Sequence, residues 1–179
     1  TSSPSMDILI SSNLERLLYS LAGAEKVKEW MSELKSTGRY EVDGKTLSKI
    51  KSLFAAGFCD DDATKATIAK TYKQSGYLCD THTAVAVTVY ENYKAETLDD
   101  TPAIIASTAS PFKFCRAVLE AVEGKKIELD EFDMVNHLAE ITGIPCPAPL
   151  ANLKDKTVRF SGCCSKENMD EVVFDMLGI

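Results

Sequence analysis

The chain has 179 residues, of which 20 are lysine or arginine and 27 are aspartate or glutamate, so its formal net charge is −7 at pH 7. A hydrophobic fraction of 45% excludes an intrinsically disordered chain, and no apolar run reaches the ~20 residues that cross a bilayer. The acidic balance argues against nucleic acid as a partner, because phosphate binding needs a clustered basic face. The length suggests one domain of roughly 150–200 residues.

Helical patterns account for most of the chain. Apolar residues recur at three- and four-residue spacing, and glycines stand where the patterns stop. Ser12 and Glu15 have the spacing of a capping box at the start of the first pattern. Residues 82–95 mix β-branched residues with alanines, and we interpret them as a buried helix. The predicted helices cover residues 12–22, 24–36, 45–56, 60–74, 82–95, 112–123, 130–142 and 165–177.

Short apolar runs predict a few β-strands. Pro102–Ala106 is continuously apolar, as a buried parallel strand is, and residues 6–10, 40–44 and 157–160 are weaker candidates. A polar turn and a predicted helix follow residue 106, which is the βα arrangement at whose carboxyl edge α/β proteins bind ligands. The predicted fold class is therefore α/β, rich in helix, with a short parallel sheet.

The six cysteines form no C-x-x-C pair and predict reduced thiols in the cytoplasm rather than a disulfide framework. Cys79 and His82 have the spacing of half a zinc site, but no second Cys/His pair accompanies them, so we predict no metal. The acidic triplet at residues 60–62 is interpreted as a helix start rather than a cation site, because no alternating D-x-D-x-D loop follows.

Hydroxyl side chains cluster at two element edges, Asp80–Ala84 and Ser107–Pro111. A Ser or Thr at the carboxyl end of a parallel strand points into the ligand crevice, where it can bond a ring nitrogen. The same hydroxyls also suit helix caps, and the pattern alone favours that role. A hydrolytic triad is not indicated, since G-x-S-x-G is absent and His137 lies on a predicted helix.

Three blocks of the sequence resemble threonine synthase. Ser3–Leu18 reads S-P-S-M-D-I-L-I-S-S-N-L-E-R-L-L, Asp80–Ala86 resembles the family's D-P-H-T-A-V-A, and Ser107–Phe114 resembles its S-T-A-H-P-A-K-F. The blocks follow in family order. Thr81 stands in place of the usual proline and Ser110 in place of the usual histidine. Residues 115–179 carry no signature and are interpreted as a less certain C-terminal extension.

The resemblance implies a pyridoxal-phosphate (PLP) lyase with the three-layer fold type II, which converts O-phosphohomoserine and water into threonine and phosphate in threonine biosynthesis. It implies that Thr108, with Ser107 beside it, binds the cofactor, the Thr108 hydroxyl bonding the pyridine nitrogen. His82 and Thr83 are expected to line the same crevice and bind substrate. The helix start at Ser11, Ser12 and Asn13 is a further candidate for the substrate phosphate.

The Schiff-base lysine and the glycine-rich phosphate loop of that family precede the first block, and nothing like either occurs here. The chain also begins at Thr1 without an initiator methionine and without a signal-peptide pattern. We therefore expect residues 1–179 to be a C-terminal portion of the catalytic domain, with no catalytic residue of its own. Alone it should be inactive, bind no PLP and self-associate through an exposed sheet edge.

Two other functions stay open on the residues. A free-standing helical binding or regulatory module would explain the acidic surface and the many helices. A cysteine–histidine hydrolase would use Cys79 or Cys115 as the nucleophile and His82 as the base. Neither a nucleic acid nor a membrane is expected as a partner.

Overall fold

The computed structural model describes all residues from Thr1 to Ile179 and divides into two compact units, Thr1–Cys146 and Pro147–Ile179. No residue lies in a β-strand, and no helix is both long enough and apolar enough to span a membrane. The first unit contains seven α-helices, namely α1 Ser12–Ala22, α2 Ala24–Thr37, α3 Gly44–Lys51, α4 Asp61–Ser75, α5 Thr81–Thr97, α6 Cys115–Glu123 and α7 Glu131–Thr142.

Aspartate side chains begin four of these helices. Each accepts a hydrogen bond from a backbone N–H of the first turn, which satisfies a donor that has no partner inside the helix. At the other end of α4, Gly76 has φ +72°, a conformation that costs glycine little and other residues more. The four aspartate caps are Asp43, Asp60, Asp80 and Asp130.

Three predicted helix boundaries are corrected. Ser11, and not Ser12, caps α1, because the Ser11 Oγ accepts from the Leu14 N–H at 3.3 Å. Helix α3 ends at Lys51 rather than near residue 56, and Leu53 beyond it is exposed instead of facing the core. The predicted helix 112–123 begins as a 3-10 turn at Pro111–Phe114, which leads into α6.

The predicted strands at 102–106, 6–10, 40–44 and 157–160 do not form. Ile104, at the centre of the most apolar run, is 99% exposed. A strand exists only where a neighbour exchanges N–H and C=O bonds with it, and no segment of this chain forms such a ladder with residues 102–106. The helix-rich character is confirmed, and the parallel sheet is not found within the chain.

The core of the first unit lies between α4, α5, α6 and α7. Helix α4 packs against α5 and α6, and α6 packs against α7. Their central side chains are almost completely shielded from solvent, and each large aliphatic one contributes ~1.5–3 kcal/mol by its burial. A smaller cluster joins α1 to α2. The central residues are Ile68, Ala84, Val118, Leu119 and Leu138, and those of the smaller cluster are Leu18, Val27 and Trp30.

The second unit is small and has no buried side chain in its helices. It contains α8 Ala148–Ala151 and α9 Met169–Leu177, the latter preceded by a 3-10 turn at Lys166–Asn168. Ser165 is the N-cap residue of that turn, so the predicted helix start at this position is confirmed, although the Ser165 side chain makes no capping hydrogen bond.

Candidate functional site

Buried polar side chains converge on the first turn of α5. Asp80, Thr81, His82 and Thr83 are each less than a tenth exposed, and so is Ser3 from the N-terminal segment. Consecutive buried polar residues are rare, because each polar group must find a partner away from water. The start of α5, against which α4 and the N-terminal segment pack, is therefore a buried polar site.

Asp80 organises this turn. Its Oδ1 accepts from the backbone N–H groups of His82 at 2.9 Å and Thr83 at 3.2 Å, and its Oδ2 accepts from the Thr83 hydroxyl at 2.5 Å. Three donors compensate a carboxylate that has no contact with solvent. The backbone of the first turn and the Thr83 side chain are therefore fixed together.

His82 joins the start of α5 to two other segments. The Ser3 Oγ lies 2.5 Å from His82 Nδ1, and the ring meets Phe114 edge to face with centroids 4.5 Å apart. His82 is thus held in a buried contact between the N-terminal segment and the 3-10 turn that precedes α6. The first and second sequence blocks meet through this hydrogen bond.

Ser107 brings the third block to the same place. Its Oγ lies 3.0 Å from the Thr83 Oγ1 and 2.9 Å from the phenolic oxygen of Tyr77. Two residues predicted for one crevice, Thr83 and Ser107, are therefore in contact. Tyr77 was missed by sequence reasoning, because its only signal was a position three residues before Asp80.

Thr108 follows Ser107 on the exposed side of the group. Its side chain is exposed, and no hydrogen bond within the chain engages its hydroxyl. Ser110 accepts from the Phe112 N–H at 3.3 Å and caps the 3-10 turn. Thr81 is fully buried, and its Oγ1 has no partner.

The residues at the start of α1 that were predicted to contact the substrate phosphate lie in a locally bonded helix start. Ser11 caps the helix, Ser12 is exposed, and the Asn13 Oδ1 accepts from Arg16 at 2.8 Å. No hydrogen bond links these three residues to the group around Asp80 and Ser107. Hydrogen bonds thus connect the second and third blocks directly. Residues 11–13 of the first block take no part in those hydrogen bonds.

The thiols do not fit a nucleophilic role. Burial raises the pKa of both Cys79 and Cys115 to about 11, so both remain protonated at neutral pH. The Nδ1 of His82, the proposed base, is engaged by Ser3. No group of three or more His, Cys, Asp or Glu side chains is placed to hold a metal ion. The cysteine–histidine hydrolase is therefore not supported.

Comparison with known proteins identifies the family. The family model "Threonine synthase, C-terminal" matches residues 83–172. Threonine synthase of Saccharomyces cerevisiae is 39% identical over 140 residues, or 69% of this chain and 27% of the yeast protein. Human threonine synthase-like 1 is 35% identical over 147 residues, or 81% of this chain and 19% of the human protein. The crystal structure of PLP-bound threonine synthase from Brucella melitensis matches 99% of this chain and 33% of its own with 35% identity and a TM-score of 0.73.

The match extends well beyond the three sequence blocks. It runs through residues 115–172, where the sequence carries no family signature, and the structural match covers nearly the whole chain. The chain belongs to the threonine synthase family. It spans about a fifth to a third of the length of these relatives. The resemblance read from the three blocks is confirmed.

Proposed function

We propose that these residues are the C-terminal portion of a cytoplasmic threonine synthase, a PLP-dependent lyase that converts O-phosphohomoserine and water into L-threonine and phosphate. Family membership supports the class of enzyme. The observation that supports the proposed site is the 3.0 Å contact between Thr83 and Ser107, because it joins the two hydroxyl-rich blocks and Thr108 is the residue after Ser107.

Thr108 fits the place of a partner for the pyridine nitrogen of PLP. Its hydroxyl is exposed and uncommitted, while its neighbour Ser107 is bonded to both Thr83 and Tyr77. When bound, PLP serves as an electron sink for the carbon skeleton of the amino-acid substrate. A neutral hydroxyl at the ring nitrogen favours the unprotonated ring more than a carboxylate would. Thr108 would then orient the ring and reduce how strongly it withdraws electrons.

The proposal also accounts for the missing sheet. Residues 102–106 are apolar, all but Ile105 are exposed, and they have no strand partner in this chain. We assign them to a strand of the parallel sheet of a three-layer fold type II domain, in which the remaining strands, the Schiff-base lysine and the phosphate-binding loop come from outside this chain. Residues 1–179 alone would then self-associate through this surface and lack both PLP and activity.

The deciding experiment measures threonine formation from O-phosphohomoserine by the threonine synthase that contains these residues. Thr108→Val should lower kcat about tenfold, since one hydrogen bond in the reacting complex is lost, and should shift the PLP absorption band. Thr101→Val, in an exposed threonine of the same irregular stretch, should change neither. Unchanged activity and spectrum in Thr108→Val would contradict the cofactor role.

The wild-type assay tests the reaction itself. The human relative bears the name threonine synthase-like 1, so family membership by itself does not fix the reaction. A PLP-loaded wild-type protein that forms no threonine from O-phosphohomoserine would overturn the proposed function. Growth of a threonine auxotroph that expresses the protein gives the same answer in cells.

A further inference from the structure

The buried ring of His82 lies where the three sequence blocks meet. Its Nδ1 is 2.5 Å from the hydroxyl oxygen of Ser3 in the first block, and its ring contacts Phe114 in the third block edge to face. Ser3 is 3% exposed and His82 is 7% exposed. Because water has little access to this pair, loss of either partner would leave the other polar group unsatisfied.

The N-terminal segment holds the Ser3 hydroxyl in place for His82. Asp61, in the first turn of α4, accepts from the backbone N–H of Ser2 at 2.9 Å and from the Ser2 hydroxyl at 2.8 Å. The carbonyl oxygen of Ser3 accepts from the Met6 N–H at 3.0 Å within the same segment. The segment is thus fixed to α4 on one side, and the Ser3 hydroxyl bonds to α5 on the other.

Two consecutive residues of α5 hold the two ends of the stretch that contains Thr108. Thr83 Oγ1 lies 3.0 Å from Ser107 Oγ at the beginning of this stretch, and the ring of His82 contacts Phe114 at its end. Thr108 follows the first of these contacts directly. The position of residues 107–114 therefore depends on the orientation of the His82 ring as well as on the Thr83 side chain.

Ser3 restrains the orientation of that ring. A histidine side chain rotates about two bonds, whereas the contact with Phe114, with an angle of 65° between the ring planes, needs one orientation. The hydrogen bond to Ser3 selects the orientation in which Nδ1 faces the N-terminal segment. Without the Ser3 hydroxyl the ring loses this restraint, and the contact at the end of residues 107–114 is weakened.

We propose that Ser3 and His82 are positioning residues that hold residues 107–114 in place, so that Thr108 meets the pyridine ring of PLP in a fixed geometry. The part that concerns PLP rests on the proposed function, whereas the coupling of Ser3 to residues 107–114 does not. The role requires no contact between Ser3 and the cofactor.

Titration of the apo form of the enzyme that contains these residues with PLP measures the effect. Ser3→Ala should weaken PLP binding about fivefold to tenfold, because one buried hydrogen bond that restrains the site is lost. Ser5→Ala changes an exposed serine of the same 3-10 turn and should leave the Kd for PLP unchanged. An unchanged Kd in Ser3→Ala would overturn the positioning role.

A double-mutant cycle tests whether Ser3 acts through His82. His82→Phe keeps an aromatic ring against Phe114 but cannot bond Ser3, so Ser3→Ala in that background should cause no further loss of PLP affinity. His82→Asn, whose amide places a polar atom near the position of Nδ1, should bind PLP more tightly than His82→Phe. Additive losses in the cycle, or equal affinities of the Asn and Phe variants, would contradict a route through the His82 ring.

A stability control separates positioning from a general loss of folding energy. Val27→Ala removes buried side-chain volume from the separate cluster of α1 and α2. It should lower the free energy of unfolding and leave the Kd for PLP unchanged. A loss of PLP affinity in Val27→Ala as large as that in Ser3→Ala would overturn the specific role of Ser3.

Amide hydrogen exchange in the apo enzyme tests the coupling without the cofactor. The N–H groups of Phe112 and Lys113 both donate to Ser110, to its hydroxyl and to its carbonyl oxygen respectively. Ser3→Ala should speed their exchange about fivefold to tenfold, and Ser5→Ala should not. Unaltered exchange in Ser3→Ala would refute the coupling, whereas a wild-type enzyme that forms no threonine would overturn the proposed function and leave the exchange result standing.

Discussion

Thr81 occupies the first position of α5. Its side chain is fully buried with an unpartnered hydroxyl, and backbone N–H groups at this position have no acceptor within the helix. The preceding residue, Asp80, has φ −76° and ψ 170°, which is the extended conformation required of a residue before proline. The backbone at this position is therefore compatible with proline.

Thr81→Pro should therefore raise the free energy of unfolding by about 0.5–1 kcal/mol, because proline restricts the unfolded chain and removes the unpartnered hydroxyl. Urea denaturation monitored by circular dichroism measures the change. Thr81→Val serves as the control because it removes the hydroxyl without restricting the unfolded chain. Its free energy of unfolding should therefore rise less than that of Thr81→Pro. A Thr81→Pro variant less stable than Thr81→Val would contradict this account.

At the scale of elements, the connection between α3 and α4 lies close to α5 at Gly57. A Cβ on Gly57 would lie 2.9 Å from Cγ1 of Val89, closer than real Cβ contacts come. Val89 is β-branched and has little rotamer freedom in a helix. Gly57 is therefore required because a side chain would not fit there. Its backbone conformation does not require glycine, since its φ lies outside the left-handed region.

Gly57→Ala should lower the free energy of unfolding by about 1–2 kcal/mol, the usual cost of overpacking. Gly44, the first residue of α3, offers a matched control, because a Cβ there meets nothing within 4 Å. Gly44→Ala should be stabilising by about 0.4–1 kcal/mol. The melting temperatures of the two variants should shift in opposite directions. Equal shifts would show that the contact with Val89 does not destabilise Gly57→Ala.

At the scale of the whole molecule, carboxylates on one element bind groups on another. Glu120 of α6 lies 2.7 Å from Lys65 of α4, and the hydrogen bond from Lys65 lowers the pKa of Glu120. The backbone N–H and then the hydroxyl of Ser2 lower the pKa of Asp61 at the start of α4. A folded pKa below the unfolded value adds stability above the unfolded value and loses it as the pH falls.

The melting temperature should therefore drop as the pH falls from about 5 towards 3, through the range where unfolded carboxylates titrate. Glu120→Gln should lower the melting temperature at neutral pH and flatten this acid slope. Glu91→Gln, in the more exposed pair of Glu91 with Lys70, should have a smaller effect. Differential scanning calorimetry at several pH values measures both, and an equally steep slope in Glu120→Gln would count against the Lys65 contact.

Sequence reasoning succeeded where the interaction is local. Asp130 begins α7 and Gly143 ends it, as predicted, because a cap bonds only to its own first or last turn. It failed at residues 102–106, whose apolar composition predicts a strand but cannot supply the neighbour that a strand needs. It found Ser107 and Thr83 by composition and missed Tyr77, which only its contact identifies.

By itself the sequence determined the family and most of the helix boundaries, because the three blocks are contiguous and each cap acts within one turn. Only the tertiary structure decided that Ser3 meets His82 and that Tyr77 and Thr83 meet at Ser107. Those contacts join residues far apart in the chain, and they exist because α4 and the N-terminal segment pack against α5 and bring them together. Local sequence patterns do not predict contacts between residues that are distant in the chain.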